Sequence, residues 1–449
     1  MPYLVDTYAP ADWRNTALSM MRTAGLIIAM LVQPAAGLIS DRSTSRFGRR
    51  RPFILIGTLL DLVFLVAIGL SSSYWSLLVA VLLIQFSSNI SHGPLQALIP
   101  DLVPEDQRGR ASGVKAIFEL LPIVLVGVMV VPMIAAGQLN WAIVVTGAVL
   151  FITALLTMLL VKEQPLKEKP DVPFWPPMVR VLGMLAGIGV GALAGLVGAA
   201  LVGGLAGLVT WLFAGKDIAL TVAVILGGAI AMIIAVVVGV WAGSMLTIGK
   251  EAKNHSSFIW WIVNRLFFLA AITSLQGFLL FFMMYAFSVT SEQAASLTKN
   301  LLYMVGIFTL LSALPSGWLA DRIGHKRLVG LSGIMAAAGC TLLLGTIWMP
   351  NLSLIYVAGL ILGVSTGLFM TTNWAMGTNL VPPEEAGRYL GISNLAGAGA
   401  GMIGAGIGGP VADYLNFGTP GLGYFAIFAA YAVLFALSTV SLRFVHVKK

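Results

Sequence analysis

Gly37-Leu38-Ile39-Ser40-Asp41-Arg42 returns later in the chain as Gly317-Trp318-Leu319-Ala320-Asp321-Arg322. Each copy ends an apolar run and leads into a basic cluster. The first is Gly48-Arg49-Arg50-Arg51 and the second is Gly324-His325-Lys326-Arg327. A second pair follows in the same order. Ala97-Leu98-Ile99-Pro100-Asp101-Leu102-Val103-Pro104 returns as Ala375-Met376-Gly377-Thr378-Asn379-Leu380-Val381-Pro382. Asp106, Gly109 and Arg110 then match Glu384, Gly387 and Arg388. Two motifs repeated in one order, at one spacing of about 280 residues, mean two homologous halves.

The composition says what solvent surrounds those halves. Of the 449 residues, 58% are hydrophobic and only 10% are charged, and the mean hydropathy is +0.94. A water-soluble domain carries about 25% charge, so this chain lacks the polar surface that water requires. Thirteen apolar runs are long enough to span a bilayer core. They cover 17–40, 53–71, 75–99, 112–136, 140–161, 181–213, 217–247, 258–286, 297–319, 328–348, 353–378, 390–413 and 422–442. With 41–52 inside the cell, alternation puts 21 of the 26 Lys and Arg residues on the inner side. That asymmetry predicts a cytoplasmic C-terminus and an inner or plasma membrane location. It also puts residues 1–16 outside, where they read as an external loop.

The net charge of +8 is thereby explained by topology and needs no nucleic acid. Cys340 is the only cysteine, which excludes an internal disulfide, and no Cys/His spacing suits a metal. The glycine run Gly397–Pro410 lies within a span and lacks a Gly-Lys-Ser/Thr ending, so no nucleotide is expected. No nucleophile–base spacing suggests an enzyme. No cofactor is expected, and the partners implied are lipid, a small solute and a coupling ion.

The pattern Gly-x-x-x-Asp-Arg-x-Gly-x-Lys/Arg resembles the signature loop of the major facilitator superfamily. Gly317 to Arg327 fits it closely. The first copy has four extra residues before its basic cluster, and this longer form resembles the glycoside–pentoside–hexuronide and sucrose–proton symporter branch. The stretch Asn89-Ile90-Ser91-His92-Gly93-Pro94-Leu95-Gln96-Ala97-Leu98 is similar to a sucrose-transporter segment as well. The resemblance implies an all-α membrane protein of the major facilitator fold, with two pseudo-symmetric helical bundles around a midplane cavity.

Two departures stand out. The signature loop follows the first span here, where the family pattern puts it after the second, so one helix is expected to precede Met1. Two extra spans also lie between the halves. The expected organisation is an N-terminal bundle 1–161, a cytoplasmic linker 162–180, an inserted helix pair 181–247 and a C-terminal bundle 248–449. In the pair, Gly183, Gly187, Gly191, Gly195, Gly203 and Gly207 keep multiples of four, a spacing that lets helices touch closely. It reads as a packing element, peripheral or at a dimer contact.

Several residues are candidates for function. In the two loops Gly37, Asp41, Arg42, Gly48, Arg49, Gly317, Asp321, Arg322, Gly324 and Arg327 form either a gating latch or a plain topology signal. Arg46, Arg50 and Arg51 read as topology alone. Charges within spans are costly and therefore informative. Lys115 and Glu119 share a helix face, so Glu119 is a candidate proton carrier tuned by Lys115, or half of a structural ion pair. Asp61 is a second proton candidate, or is satisfied by a neighbouring Ser. Neutral polar groups beside an aromatic face suit a polyhydroxylated solute. Gln85, Asn89 and His92 share one face, and Gln276, Asn373 and Trp374 come from the other half, with interhelical hydrogen bonding as the alternative. Arg265 either snorkels, pairs with an acid or contacts solute, and Arg22 near an outer end has a similar balance.

The leading expectation is proton- or cation-coupled symport of a sugar-like solute. The rivals are a drug efflux antiporter, favoured by the inserted pair, and a non-transporting membrane sensor.

Overall fold

A computed structural model describes residues 1–104, 118, 125–163, 165, 174–249, 255–378, 380 and 386–446. Every element among them is helical. They are α1 (Pro2–Tyr8), α2 (Arg14–Asp41), α3 (Arg51–Gly69), α4 (Tyr74–Leu102), α5 (Val131–Ala135), α6 (Leu139–Leu160), α7 (Trp175–Ala214), α8 (Lys216–Ile248), α9 (Ser256–Phe287), α10 (Ser291–Ile323), α11 (His325–Leu344), α12 (Leu352–Thr378), α13 (Ala386–Gly418) and α14 (Leu422–Ser441). Among the described residues, eleven helices are long and apolar enough to cross a membrane. The first half of the predicted span 112–136, residue 118 apart, falls outside the described residues, and Lys115 and Glu119 lie in that part.

Two expectations are corrected. Residues 1–16 are not a loop: Pro2 opens α1, and Ala11–Trp13 form a 3-10 turn into α2. Leu4 and Val5 are buried, and the Tyr3 hydroxyl donates to Glu292 Oε1 at 3.3 Å. Apolar side chains with something to pack against override the loop-like composition. The linker also ends early, because α7 begins at Trp175, where Pro176 suits the first turn of a helix.

The chain groups into two compact units, residues 1–23 with 183–449 and residues 24–182. Within residues 24–182, α3 packs on α4 and on α6. Within the larger unit, α11 packs on α12 and on α14, the corresponding helices of the second repeat. The small residues of the pair meet as their spacing predicts. A side chain on Gly187 would strike the backbone of Gly243, one on Gly191 that of Ala235 and Gly239, and one on Gly203 that of Ala223. The pair docks through α8 onto α13 and α9.

The core of the larger unit is α9. A helix that is apolar all round has no face to give to solvent and is buried. In α9, 83% of the most apolar stretch is buried, against 6% in α6. Phe268 stacks on Phe369 of α12 at 3.7 Å and meets Phe435 of α14 edge-on at 5.0 Å. Ser288 in the left-handed region ends α9, and a capping box of Thr290 and Gln293 starts α10, satisfying amides that helix starts leave open.

Candidate functional site

Residues 24–182 build an ionic cluster around the first signature loop. Gly48 has φ of 101° and Gly324 has φ of 92°, so both copies use glycine where other residues are strained. The turn at Gly48 brings the Glu163 carboxylate, just past α6, against the start of α3. Glu163 accepts from the backbone amides of Arg50 at 3.0 Å and Arg51 at 3.0 Å. A carboxylate suits a helix start, where amides are unpaired and the dipole is positive.

Arg50 is the hub of this cluster and is only 3% exposed. Its Nε pairs with Asp101 Oδ2 at 2.9 Å, and its Nη2 pairs with Asp41. Nη1 donates to Ser40 Oγ at 2.5 Å and to the Gly37 carbonyl at 3.3 Å. Arg49 also pairs with Asp101. Assigning Arg50 to topology alone is therefore corrected: its side chain turns inward and ties α2, α3 and α4 together. Arg42 instead lies over Phe174, 5.7 Å from the ring centroid, and Arg46 over Phe47 at 4.8 Å. Arg51 donates to the Met158 carbonyl.

The second copy is arranged differently. Asp321 and Arg322 are exposed. Arg322 lies over Trp318 at 3.9 Å, and Lys326 Nζ donates to the Val445 carbonyl at 2.7 Å. Among the described residues no carboxylate pairs with Arg322, Lys326 or Arg327. Asp101 and Glu163 escaped the sequence reading. One signal was available for Asp101, because the matching position of the second copy is the neutral Asn379.

The other candidates of this unit are locally satisfied. Asp61 is buried on α3 and accepts from the Ser87 hydroxyl of α4. Asn89 Nδ2 donates to the Gln85 carbonyl one turn back, at 2.7 Å. His92 lies 3.4 Å from Gln96 Nε2. Gln85 lies beside Gly25 of α2.

In the larger unit the structure gathers Arg265, Asn373 and Trp374 in one place. Asn264 and Arg265 are neighbours on α9, and both meet Asn373 of α12, while Asn264 also reaches α14. Asn264 Nδ2 donates to Ser438 of α14, at 2.7 Å to the carbonyl and 2.9 Å to the hydroxyl. Asn373 Nδ2 of α12 donates to Asn264 Oδ1 at 2.7 Å. Arg265 Nη1 then donates to Asn373 Oδ1 at 3.3 Å. Trp261 Nε1 holds the Asn373 carbonyl at 2.9 Å. The guanidinium stands over Trp374 at 5.0 Å.

A chain of amides thus runs from α14 through α9 to α12 and positions Arg265 beside an indole. Snorkelling is excluded, since Arg265 is only 8% exposed. Gln276 is not part of this group. It sits eleven residues on, about 16 Å along the helix, where it borders a small, mainly leucine-lined cavity. Asn264→Leu is expected to cost about 0.5–2 kcal/mol, the range of interhelical polar contacts in membranes. Thermal unfolding of the purified protein measures it, and an unchanged midpoint would deny the network a structural role.

Repeated helix bundles, apolar spans and a signature loop at matching ends define a multi-pass membrane protein of the transporter fold. The family model for the Major Facilitator Superfamily matches residues 1–291 and 262–449, and the chain belongs to that family. Curated relatives include sucrose transport protein SUT1 of Oryza sativa subsp. japonica, 38% identical over 21% of this chain and 22% of that one. Proton-associated sugar transporter A of Homo sapiens is 32% identical over 35% of this chain and 25% of its own length. The chain therefore spans about a fifth to a quarter of the length of these relatives. Among solved structures, an auto-inhibited POT family peptide transporter superposes with a TM-score of 0.65 at 14% identity, covering 98% of this chain and 91% of that one. The nucleoside transporter NupG superposes with a TM-score of 0.61 at 14% identity, covering 95% and 91%. These two likenesses concern the fold alone.

Proposed function

We propose that this protein is a secondary transporter that moves a small, sugar-like polar solute by alternating access, in symport with a proton or cation. The observation that carries the reading is the α9–α12 cluster. Arg265, oriented by Asn373, brings a forked polar group beside the Trp374 ring, a combination suited to a hydroxyl-rich solute with an apolar face. Buried polar groups in lipid are costly, and a cluster of them in the most enclosed helix points to a solute path. The names of the curated relatives support a sugar. The positive charge at the signature-loop end supports a cytoplasmic C-terminus in the inner or plasma membrane.

Coupling requires that the ion favour the state that binds solute, since a ligand without preference shifts nothing. Glu119, with Lys115 four residues before it in sequence, is the proposed carrier. Asp61 takes second place because Ser87 already engages it.

The test is uptake of labelled mono- and disaccharides into proteoliposomes under an inward proton gradient. Accumulation that a protonophore collapses is the expected result. Glu119→Gln is expected to abolish accumulation while leaving solute exchange intact, and retained accumulation would overturn the Glu119 assignment. Outward flux of apolar drugs would favour the efflux reading, and no flux at all would favour the sensor.

A further inference from the structure

At the end of the larger unit opposite its signature loop, α9 and α13 end and α14 begins around a cavity of about 460 Å³. Residues 1–23 belong to the same unit, and the start of α2 borders the cavity as well. That volume falls in the range of small-molecule sites, about 300–1,000 Å³. Tyr285, on its wall, is twenty residues beyond Arg265, about 30 Å along α9.

Two carboxylates border this space. Asp413 of α13 is 7% exposed and caps the start of α2. Its Oδ2 accepts from the Thr16 amide at 2.6 Å, and its Oδ1 from the Asn15 amide at 3.3 Å and from Asn15 Nδ2 at 2.6 Å. Among the described residues no cation pairs with it. Asp12, in the turn before α2, is exposed and has no ion-pair partner among the described residues. Arg14 borders the cavity too, but its charge is already matched. Its Nη1 pairs with Asp6 at 3.3 Å, and the guanidinium lies over Phe281 at 5.1 Å. The lining is left negative.

Asn15 adds an open acceptor. It lines the cavity and is only 2% exposed. An ionised carboxylate only accepts, so the contact with Asp413 fixes which branch of the amide is Nδ2. The other branch, Oδ1, is buried without a partner among the described residues, an unfavourable state that a ligand N–H would relieve. Tyr285 and Tyr424 supply an aromatic wall, with ring centroids 5.6 Å apart. The Tyr285 hydroxyl donates to the Pro420 carbonyl at 3.0 Å, which holds that ring in place.

We propose that this cavity is a binding site for a small organic ammonium ion, separate from the polar cluster at Arg265 and independent of the transport reading. The ammonium N–H groups meet Asn15 Oδ1 and the Asp12 carboxylate. Asp413 adds negative charge behind them, and the tyrosine rings attract the cation. A metal ion such as calcium suits the place less well. It takes about 6–8 oxygen ligands, and no group of three acidic, His or Cys side chains gathers among the described residues.

The test is isothermal titration of the purified full chain, in an amine-free buffer at pH 7, with benzylamine, benzyl alcohol and benzoate. The three share a ring and a one-carbon branch, which carries an ammonium, a hydroxyl or a carboxylate. Benzylamine is expected to bind about 10- to 100-fold more tightly than benzyl alcohol, the span of a charge-assisted hydrogen bond. Asp12→Asn is expected to remove most of that preference. Asp217→Asn neutralises another exposed acid at a helix start, outside the cavity, and is expected to keep it.

Equal binding of amine and alcohol, binding of neither, or tightest binding of benzoate overturns the proposal. So does a preference that survives Asp12→Asn or falls equally in Asp217→Asn. The wild-type comparison depends on no variant folding.

Discussion

Arg50→Ala is expected to lower the melting temperature of the purified protein by roughly 10 °C and to abolish uptake. The side chain is buried and engages Asp41, Asp101, Ser40 and the Gly37 carbonyl at once. Removing one partner of a buried ionic network leaves the others uncompensated, at a cost of about 3–5 kcal/mol. For a unit of 150–250 residues each kcal/mol is worth about 2–4 °C. Arg50→Lys keeps the charge but presents a single ammonium, which cannot hold two carboxylates through a planar fork, so an intermediate loss is expected. Arg46→Ala is the control. Arg46 is exposed and lies over the neighbouring Phe47 ring, and its loss is expected to stay within about 0.5 kcal/mol. Differential scanning fluorimetry of the three variants decides the matter. Equal shifts for Arg46→Ala and Arg50→Ala would mean that the loop acts through its charge alone, as a topology signal does.

The same contrast marks the limit of reading this fold from sequence. The spans were legible because a bilayer fixes their length. The run 17–40 is the middle of Arg14–Asp41, and 217–247 matches Lys216–Ile248 to within a residue. The repeat was legible because both signature loops need glycine at the same bend. The choice of hub among Arg46, Arg49, Arg50 and Arg51 was not legible. It depends on where the Gly48 turn aims the start of α3, and on two acids distant in sequence, Asp101 and Glu163. Loop composition carries neither fact.

Arg265 is a similar case. Its place near the end of a span allowed snorkelling, an ion pair or solute contact. Burial removes the snorkelling alternative, and that burial comes from the surroundings of α9, which packs on α10, α13 and α14. The aromatic content of α9 hinted at burial, but which residue would meet Arg265 was a matter of how α12 crosses it. Conversely, the fourfold glycine spacing in α7 was enough to name the contact face, because in a helix that spacing has one geometric meaning.

The glycine face carries the second large expectation. Gly187→Leu and Gly191→Leu are each expected to destabilise the protein by about 3 kcal/mol, the upper part of the usual overpacking range. At Gly187 the new atoms would enter the backbone of Gly243, and at Gly191 that of Ala235 and Gly239. The obstacle is main chain, which cannot rotate away as a side chain can, so α7 and α8 must separate along the contact. Separation also disturbs the seat of α8 on α13 and α9. Gly189→Leu and Gly204→Leu place the same side chain on the same helix where an added Cβ has nothing within 4 Å. There helix propensity governs, and replacing glycine gains up to about 0.8 kcal/mol. Two substitutions of one kind, two residues apart at 187 and 189, are thus expected to change stability in opposite directions. A melting curve for each variant reads the sign directly. A loss at Gly189→Leu as large as at Gly187→Leu would point to a second packed face on α7. A packing partner there would turn the exposed Leu193, Leu196 and Val197 from lipid-facing residues into an interface between copies of the chain.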